Sequence, residues 1–121
     1  MNIDLYSDRA KQAVQSAQSL ALARRHQRLS PEHLLKVLLE ERDGLTRQLV
    51  QSAGGRPDAA DAAVEAALGK LPKVEGGSGQ LYLAPEMASV FQKAEDDAKK
   101  AGDAFVTTER LLIALAISGA R

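Results

Sequence analysis

Two glutamates, Glu32 and Glu109, each sit one place past a residue suited to open a helix, Pro31 and Thr108, and they lie 77 residues apart. A first-turn carboxylate is stabilised by the helix dipole by about 0.3–1 kcal/mol. Beside an apolar seam, it also suits a basic residue carried in an otherwise apolar segment. Nothing reactive accompanies these acids. His26 and His33 are the only histidines, and their separation of seven is not a ligand spacing, so no metal is expected. Cysteine is absent, which excludes thiol and disulfide chemistry. No Ser–His–Asp or Cys–His arrangement is supported, and Asp96 and Asp97 read as part of a charged helical face. The G-x-x-x-x-G-K-[ST] phosphate loop is missing. The glycine run at 76–79 is followed by no lysine or helix in register, and Gly54 with Gly55 is a helix stop. The chain is expected to bind rather than to catalyse, with no cofactor of its own.

The elements that must position these residues repeat at the same offset. Ala10, Ala13, Val14, Ala17 and Ala21 stand opposite Met87, Val90, Phe91, Ala94 and Ala98, and Leu34, Leu35 and Leu38 opposite Leu111, Leu112 and Leu115, always 77 residues apart. A repeat of this length implies two copies of one helical unit. Ser7 is the N-cap of a first helix running to about residue 24, with apolar residues at i, i+3, i+4, i+7 and i+11. Ser30 caps a second helix to about residue 42, with Pro31 at its first position, where a missing N–H costs nothing. Leu29 and Leu34 fit a hydrophobic staple. A third helix covers about 45–53, stopped by Gly54, and a fourth about 57–70, ending before Pro72. Pro85 opens a fifth helix to about residue 100. Gly102 and Asp103 make a turn, and Thr107 caps a sixth helix to about residue 117, with Val106 and Leu111 as its staple.

The expected architecture is all-α, a double repeat of two pseudo-symmetric multi-helix units. The first unit is 1–70, the inter-repeat linker is 71–83, and the second unit is 84–121. Glycines at 76, 77 and 79 argue for a mobile linker. The second unit is expected to be incomplete, because counterparts of the third and fourth helices would fall beyond residue 121. At 121 residues the chain suffices for one domain that needs no disulfide staple. Sixteen basic and sixteen acidic residues cancel, so the broad positive field of a nucleic-acid binder is missing. No apolar run reaches membrane-span length, and no signal peptide is visible, so a cytoplasmic protein that does not engage membranes is expected. The basic cluster at 24–28 reads as a solvated helix end, where cations are favoured.

The repeat, the segment Ala17-Gln18-Ser19-Leu20-Ala21-Leu22-Ala23, the phrase Ser30-Pro31-Glu32-His33-Leu34-Leu35 and the stretch Leu71-Pro72-Lys73-Val74-Glu75-Gly76 together resemble the amino-terminal (Clp-N) domain of Clp-family AAA+ chaperones, nearest to the ClpB disaggregase type. The likeness covers essentially the whole chain. It implies a domain that binds exposed segments of unfolded or aggregated polypeptide and passes them to the pore of a hexameric ATPase. ATP and magnesium belong to AAA+ modules not present in this segment, and the isolated domain is expected to be monomeric. The alternative it implies is an adaptor-docking or phosphoarginine-binding domain of the ClpA or ClpC type. In ClpC-type relatives the glutamates matching Glu32 and Glu109 bind phosphorylated arginine with a nearby threonine at the position of Ser7. Ala84 lacks that hydroxyl, and Asp8 adds a charge that would repel phosphate. By the same likeness Ser7, Asp103 and Glu109 match substrate-facing positions of the ClpB type, although Ser7 also serves as an N-cap and Asp103 as a turn residue. Phe91 is either core or a lining of the groove between repeats. Arg110 stands where relatives often carry an apolar residue or histidine, and its charge would lower affinity for purely apolar segments. The expected substrate-binding set is therefore Ser7, Glu32, Phe91, Asp103, Glu109 and Arg110.

Overall fold

Prolines at 31, 57 and 85 each occupy a first helical position, where the missing N–H is one that no helix could pair. In the computed structural model of the chain, which describes residues 3–41, 44–73 and 81–117, six helices follow from such signals. A 3-10 turn, Ile3–Leu5, precedes α1 (Asp8–Ala23), α2 (Pro31–Glu40), α3 (Leu45–Ser52), α4 (Pro57–Gly69), α5 (Pro85–Lys100) and α6 (Thr108–Ile117). The Ser7 hydroxyl accepts the Ala10 N–H at 3.2 Å, and the Thr107 hydroxyl accepts the Arg110 N–H at 3.3 Å. Gly54 and Gly102 take positive φ beyond the ends of α3 and α5, the left-handed conformation that closes a helix and that glycine adopts most freely. Helix α2 stops at Glu40, slightly short of the expected residue 42, which lies with residue 43 outside the described residues.

The apolar stripes of both halves converge on one shared core. Ala10, Val14 and Ala17 of α1 and Leu34 and Leu38 of α2 join Met87, Val90 and Phe91 of α5 and Leu111 and Leu115 of α6. The Tyr6 and Phe91 rings meet edge to face, with centroids 6.1 Å apart at 86°. The Tyr6 hydroxyl donates to Glu95 Oε2 at 2.7 Å, and burial together with that carboxylate holds the phenol protonated well above its usual pKa. A smaller cluster of Leu39, Val64 and Leu68 fixes α4 on α2. Above it Lys36, largely buried, binds Asp61 at 3.0 Å and Glu65 at 3.2 Å, and Arg24 reaches Glu65 at 2.5 Å. The two cations hold the Glu65 carboxyl well below the usual carboxylate range.

Backbone hydrogen bonds recur at the 77-residue offset. Arg24 N–H to Leu20 O and Ala101 N–H to Asp97 O are both 3.0 Å, and His26 N–H to Ala21 O and Asp103 N–H to Ala98 O are both 2.9 Å. Arg25, at φ 61, stands where the other half carries Gly102 at φ 76. The sequence reading contained no strand, yet two short pairings join the halves. β1 (Arg28–Leu29) runs parallel to β2 (Tyr82–Leu83), and Tyr6 forms a parallel bridge to Val106. These pairings are counterparts, since Leu29 and Val106 share one position in the two halves and Tyr6 and Leu83 another. Ser7 N–H donates to Val106 O at 2.9 Å, and Ala84 N–H donates to Leu29 O at 3.0 Å. Part of the expected linker is thus paired backbone at Tyr82–Leu83. The expected mobility of its glycines concerns residues outside those described.

Candidate functional site

The turn after α5 and the start of α6 meet the start of α1 because Ser7 is tied to Val106. This junction forms an open groove of about 570 Å³ lined by Ser7, Asp103, Phe105, Thr107, Glu109 and Arg110, among others. Four residues of the expected set, Ser7, Asp103, Glu109 and Arg110, are therefore brought together. Gly102 sets the turn that presents Asp103. The first turn of α6 presents Glu109 and Arg110. Arg110 Nε donates to Asp103 Oδ2 at 2.9 Å, so one acid of the groove is already paired with a cation. Glu109 is exposed and makes no hydrogen bond or ion pair among the described residues. Phe105, which the sequence reading did not single out, leaves 54% of its surface exposed on the groove. It has no place in a helical stripe, and its only signal was an aromatic side chain in a turn between two helices.

The other two expected residues lie elsewhere. Phe91 is 2% exposed and sits in the core against Tyr6, so of its two readings the structure places it in packing and not on the groove. Its position in the α5 stripe, between Val90 and Ala94, turns the ring inward. Glu32 is half-buried in the first turn of α2 and lines neither this groove nor its counterpart.

The counterpart lies at the other junction. It is a groove of about 430 Å³ lined by His26, Arg28, Ser30, Pro72, Ala84 and Glu86, among others. Position by position, Ala84 replaces the Ser7 hydroxyl, Arg28 replaces Phe105 and His26 replaces Asp103. The two grooves therefore differ in chemistry although the backbone repeats. The first offers a free carboxylate, hydroxyls and an exposed ring. The second offers a guanidinium, a carboxylate at Glu86 and a histidine that is 4% exposed.

His26 is held by a second contact that the sequence reading missed. Its Nδ1 lies 2.7 Å from Nε2 of His33, whose own Nδ1 accepts the Ser30 N–H at 2.9 Å. Burial lowers the pKa of both rings, with Arg24 and Lys73 adding to the effect at His26, and His33 is brought down to about 4. Among the described residues no group of three or more His, Cys, Asp or Glu is placed to hold a metal ion, and no helix is long and apolar enough to cross a membrane.

The first groove has the makings of a contact surface for a polypeptide segment: a carboxylate for a cation, hydroxyls for backbone groups and a ring for an apolar side chain. Comparison with known proteins identifies the family. Residues 5–120 match the Clp repeat (R) N-terminal domain family. The chain is 58% identical over 117 residues to the chaperone protein ClpB of Agrobacterium fabrum, covering 97% of this chain and 13% of that protein. It is 55% identical over 115 residues to ClpB of Mesorhizobium japonicum, covering 95% of this chain and 13% of that protein. The chain thus spans about an eighth of the length of the curated relatives it matches. Among solved structures, the N-terminal domain of the ClpV1 ATPase of Escherichia coli superposes with a TM-score of 0.83 at 25% identity, over 93% of this chain and 68% of that one. The Hsp104 N-terminal domain of Candida albicans gives 0.84 at 22% identity, over 91% and 72%, a likeness of fold. The ATPase modules of a Clp chaperone are not in this chain, whose sequence has no phosphate loop. Helix order, grooves and relatives converge, and the chain belongs to the Clp repeat N-terminal domain family as a ClpB-like N-domain of a Clp ATPase chaperone.

Proposed function

We propose that this domain recognises exposed segments of unfolded or aggregated polypeptide and delivers them to the AAA+ motor of a hexameric, ATP-dependent disaggregase in the cytoplasm. The observation that carries the reading is the gathering of Ser7, Asp103, Glu109 and Arg110 with an exposed Phe105 on one open groove. A groove of this kind offers weak, sequence-tolerant contacts, which suits a domain that must release what it captures. A ClpV N-domain of the same fold forms a complex with a VipB peptide, at a TM-score of 0.74, in keeping with a segment-binding role for the fold.

The test is an NMR titration of the chain with one client protein in its unfolded and folded forms. Resonances of Ser7, Asp103, Phe105 and Glu109 should shift with the unfolded form only. Glu109→Ala should weaken that binding while helix content is unchanged, since an exposed first-turn carboxylate contributes under about 1 kcal/mol to stability. Normal binding by that variant, or shifts confined to residues 24–28, would reject the surface. Shifts produced only by a folded adaptor would turn the assignment to the ClpA-type role.

A further inference from the structure

The contact between His26 and His33 admits only one protonation state. Because His33 Nδ1 accepts the Ser30 N–H, its proton is on Nε2, and that N–H points at Nδ1 of His26. His26 Nδ1 is therefore the acceptor. A proton added to His33 would face the Ser30 N–H, and one added to His26 Nδ1 would face the His33 N–H. Either breaks a hydrogen bond in a place where the rings are 4% and 0% exposed. The charges around the pair also resist protonation. Arg24 at the end of α1 and Lys73 in the connection both act against it, and the adjoining groove carries one further cation, Arg28, and one acid, Glu86.

His26 and the residues after it fasten both ends of the connection between the halves. His26 forms an antiparallel bridge with Lys73 on the near side. On the far side Gln27 O accepts the Tyr82 N–H at 2.9 Å, and Leu29 O accepts the Ala84 N–H at 3.0 Å. Among the described residues the second half has no such device. Its matching positions carry Asp103 and Arg110, a partly exposed ion pair and not a pair of buried imidazoles.

We propose that the His26–His33 pair is an acid-operated latch that keeps Lys73 and the segment Tyr82–Ala84 fastened to residues 26–29 at neutral pH and releases them when the pair takes up protons. The inference is independent of what the first groove binds. Release detaches Lys73, Tyr82 and Ala84 from the segment 26–29 and opens the groove that Ala84 and Pro72 line.

The experiment follows histidine ring carbon shifts and amide hydrogen exchange on the same chain between pH 7.5 and 4.5. After correction for intrinsic exchange, protection at Tyr82 and Ala84 should fall about tenfold per pH unit for each proton taken up. Core amides of α1 and α5 should stay protected over the same range. A paired variant, His26→Asn with His33→Gln, keeps an acceptor and a donor but cannot titrate, and it should remain latched. Histidines that titrate while Tyr82 and Ala84 stay protected would overturn the latch. So would simultaneous loss of the α1 and α5 amides, or a variant that opens at the same pH as the parent and so places the titration on carboxylates. If the variant does not fold, the parent's ring shifts and amides decide the question by themselves.

Discussion

His26 and His33 meet at 2.7 Å in the same two positions where the other half of the chain places Asp103 and Arg110 at 2.9 Å. One backbone arrangement thus carries two chemistries, a buried neutral pair on one side and a partly exposed ion pair on the other. The ionic version stands on the groove proposed for clients.

The buried pair gives stability a pH dependence with a definite sign. Burial lowers both histidines, His33 to about 4, against about 6.5 in an unfolded chain. Between those values the unfolded chain binds more protons, so unfolding is favoured as pH falls. The His33 contribution should be complete above about pH 6.5 and be lost progressively toward pH 4, with His26 acting in the same direction. Urea midpoints taken across that window on the parent and on the His26→Asn, His33→Gln variant should converge at low pH. A parent curve parallel to the variant's would contradict this.

Arg25 occupies a left-handed position that the other half gives to Gly102. A side chain there costs on the order of 1 kcal/mol, which glycine relieves in part against its greater unfolded-state entropy. Arg25→Gly should raise stability by at most about 0.5 kcal/mol, read as a slightly higher urea midpoint with an unchanged slope.

Phe91 packs in the core against Tyr6. Phe91→Ala should cost about 3–5 kcal/mol, whereas Phe91→Leu should cost less and leave client affinity unchanged. A binding defect in the Leu variant at full helicity would return Phe91 to the surface.

Arg110 lines the groove and is paired there with Asp103. An ion pair exposed to this degree contributes about 0–1 kcal/mol to stability, so Arg110→Ala should leave the midpoint nearly unchanged. It should strengthen binding of an apolar unfolded client, measured by titration calorimetry. Weaker binding would mean that the guanidinium itself contacts the client.

Helices were legible because their ends carry local chemistry: Ser7 and Thr107 as caps, prolines at first positions and Gly102 past the end of α5. The apolar stripes marked the core residues for the same reason, one face of a 3.6-residue period. The groove was legible in part, because Asp103, Glu109 and Arg110 belong to one turn and the helix start beside it. Ser7 reaches them only through the Tyr6–Val106 bridge. Two-residue pairings are too short to show an alternating pattern, so β1 and β2 left no trace. The histidine contact was hidden in a spacing of seven that looks inert until the Arg25 turn folds one ring back on the other. Aligning it with Asp103 and Arg110, a pair of opposite charge at the same spacing, was the one available signal.

The reciprocal pairing of the halves has a last consequence. The segment before α1 is completed by the segment before α6, and the segment before α5 by the segment before α2. Each half therefore lends the other the partner it needs and leaves its own short edge engaged. Cutting the chain between the halves would give two fragments, each with an unsatisfied edge and half a core. Such fragments should reassociate when mixed, and alone they should seek a second copy of themselves. In one continuous chain the matching edge is always within reach.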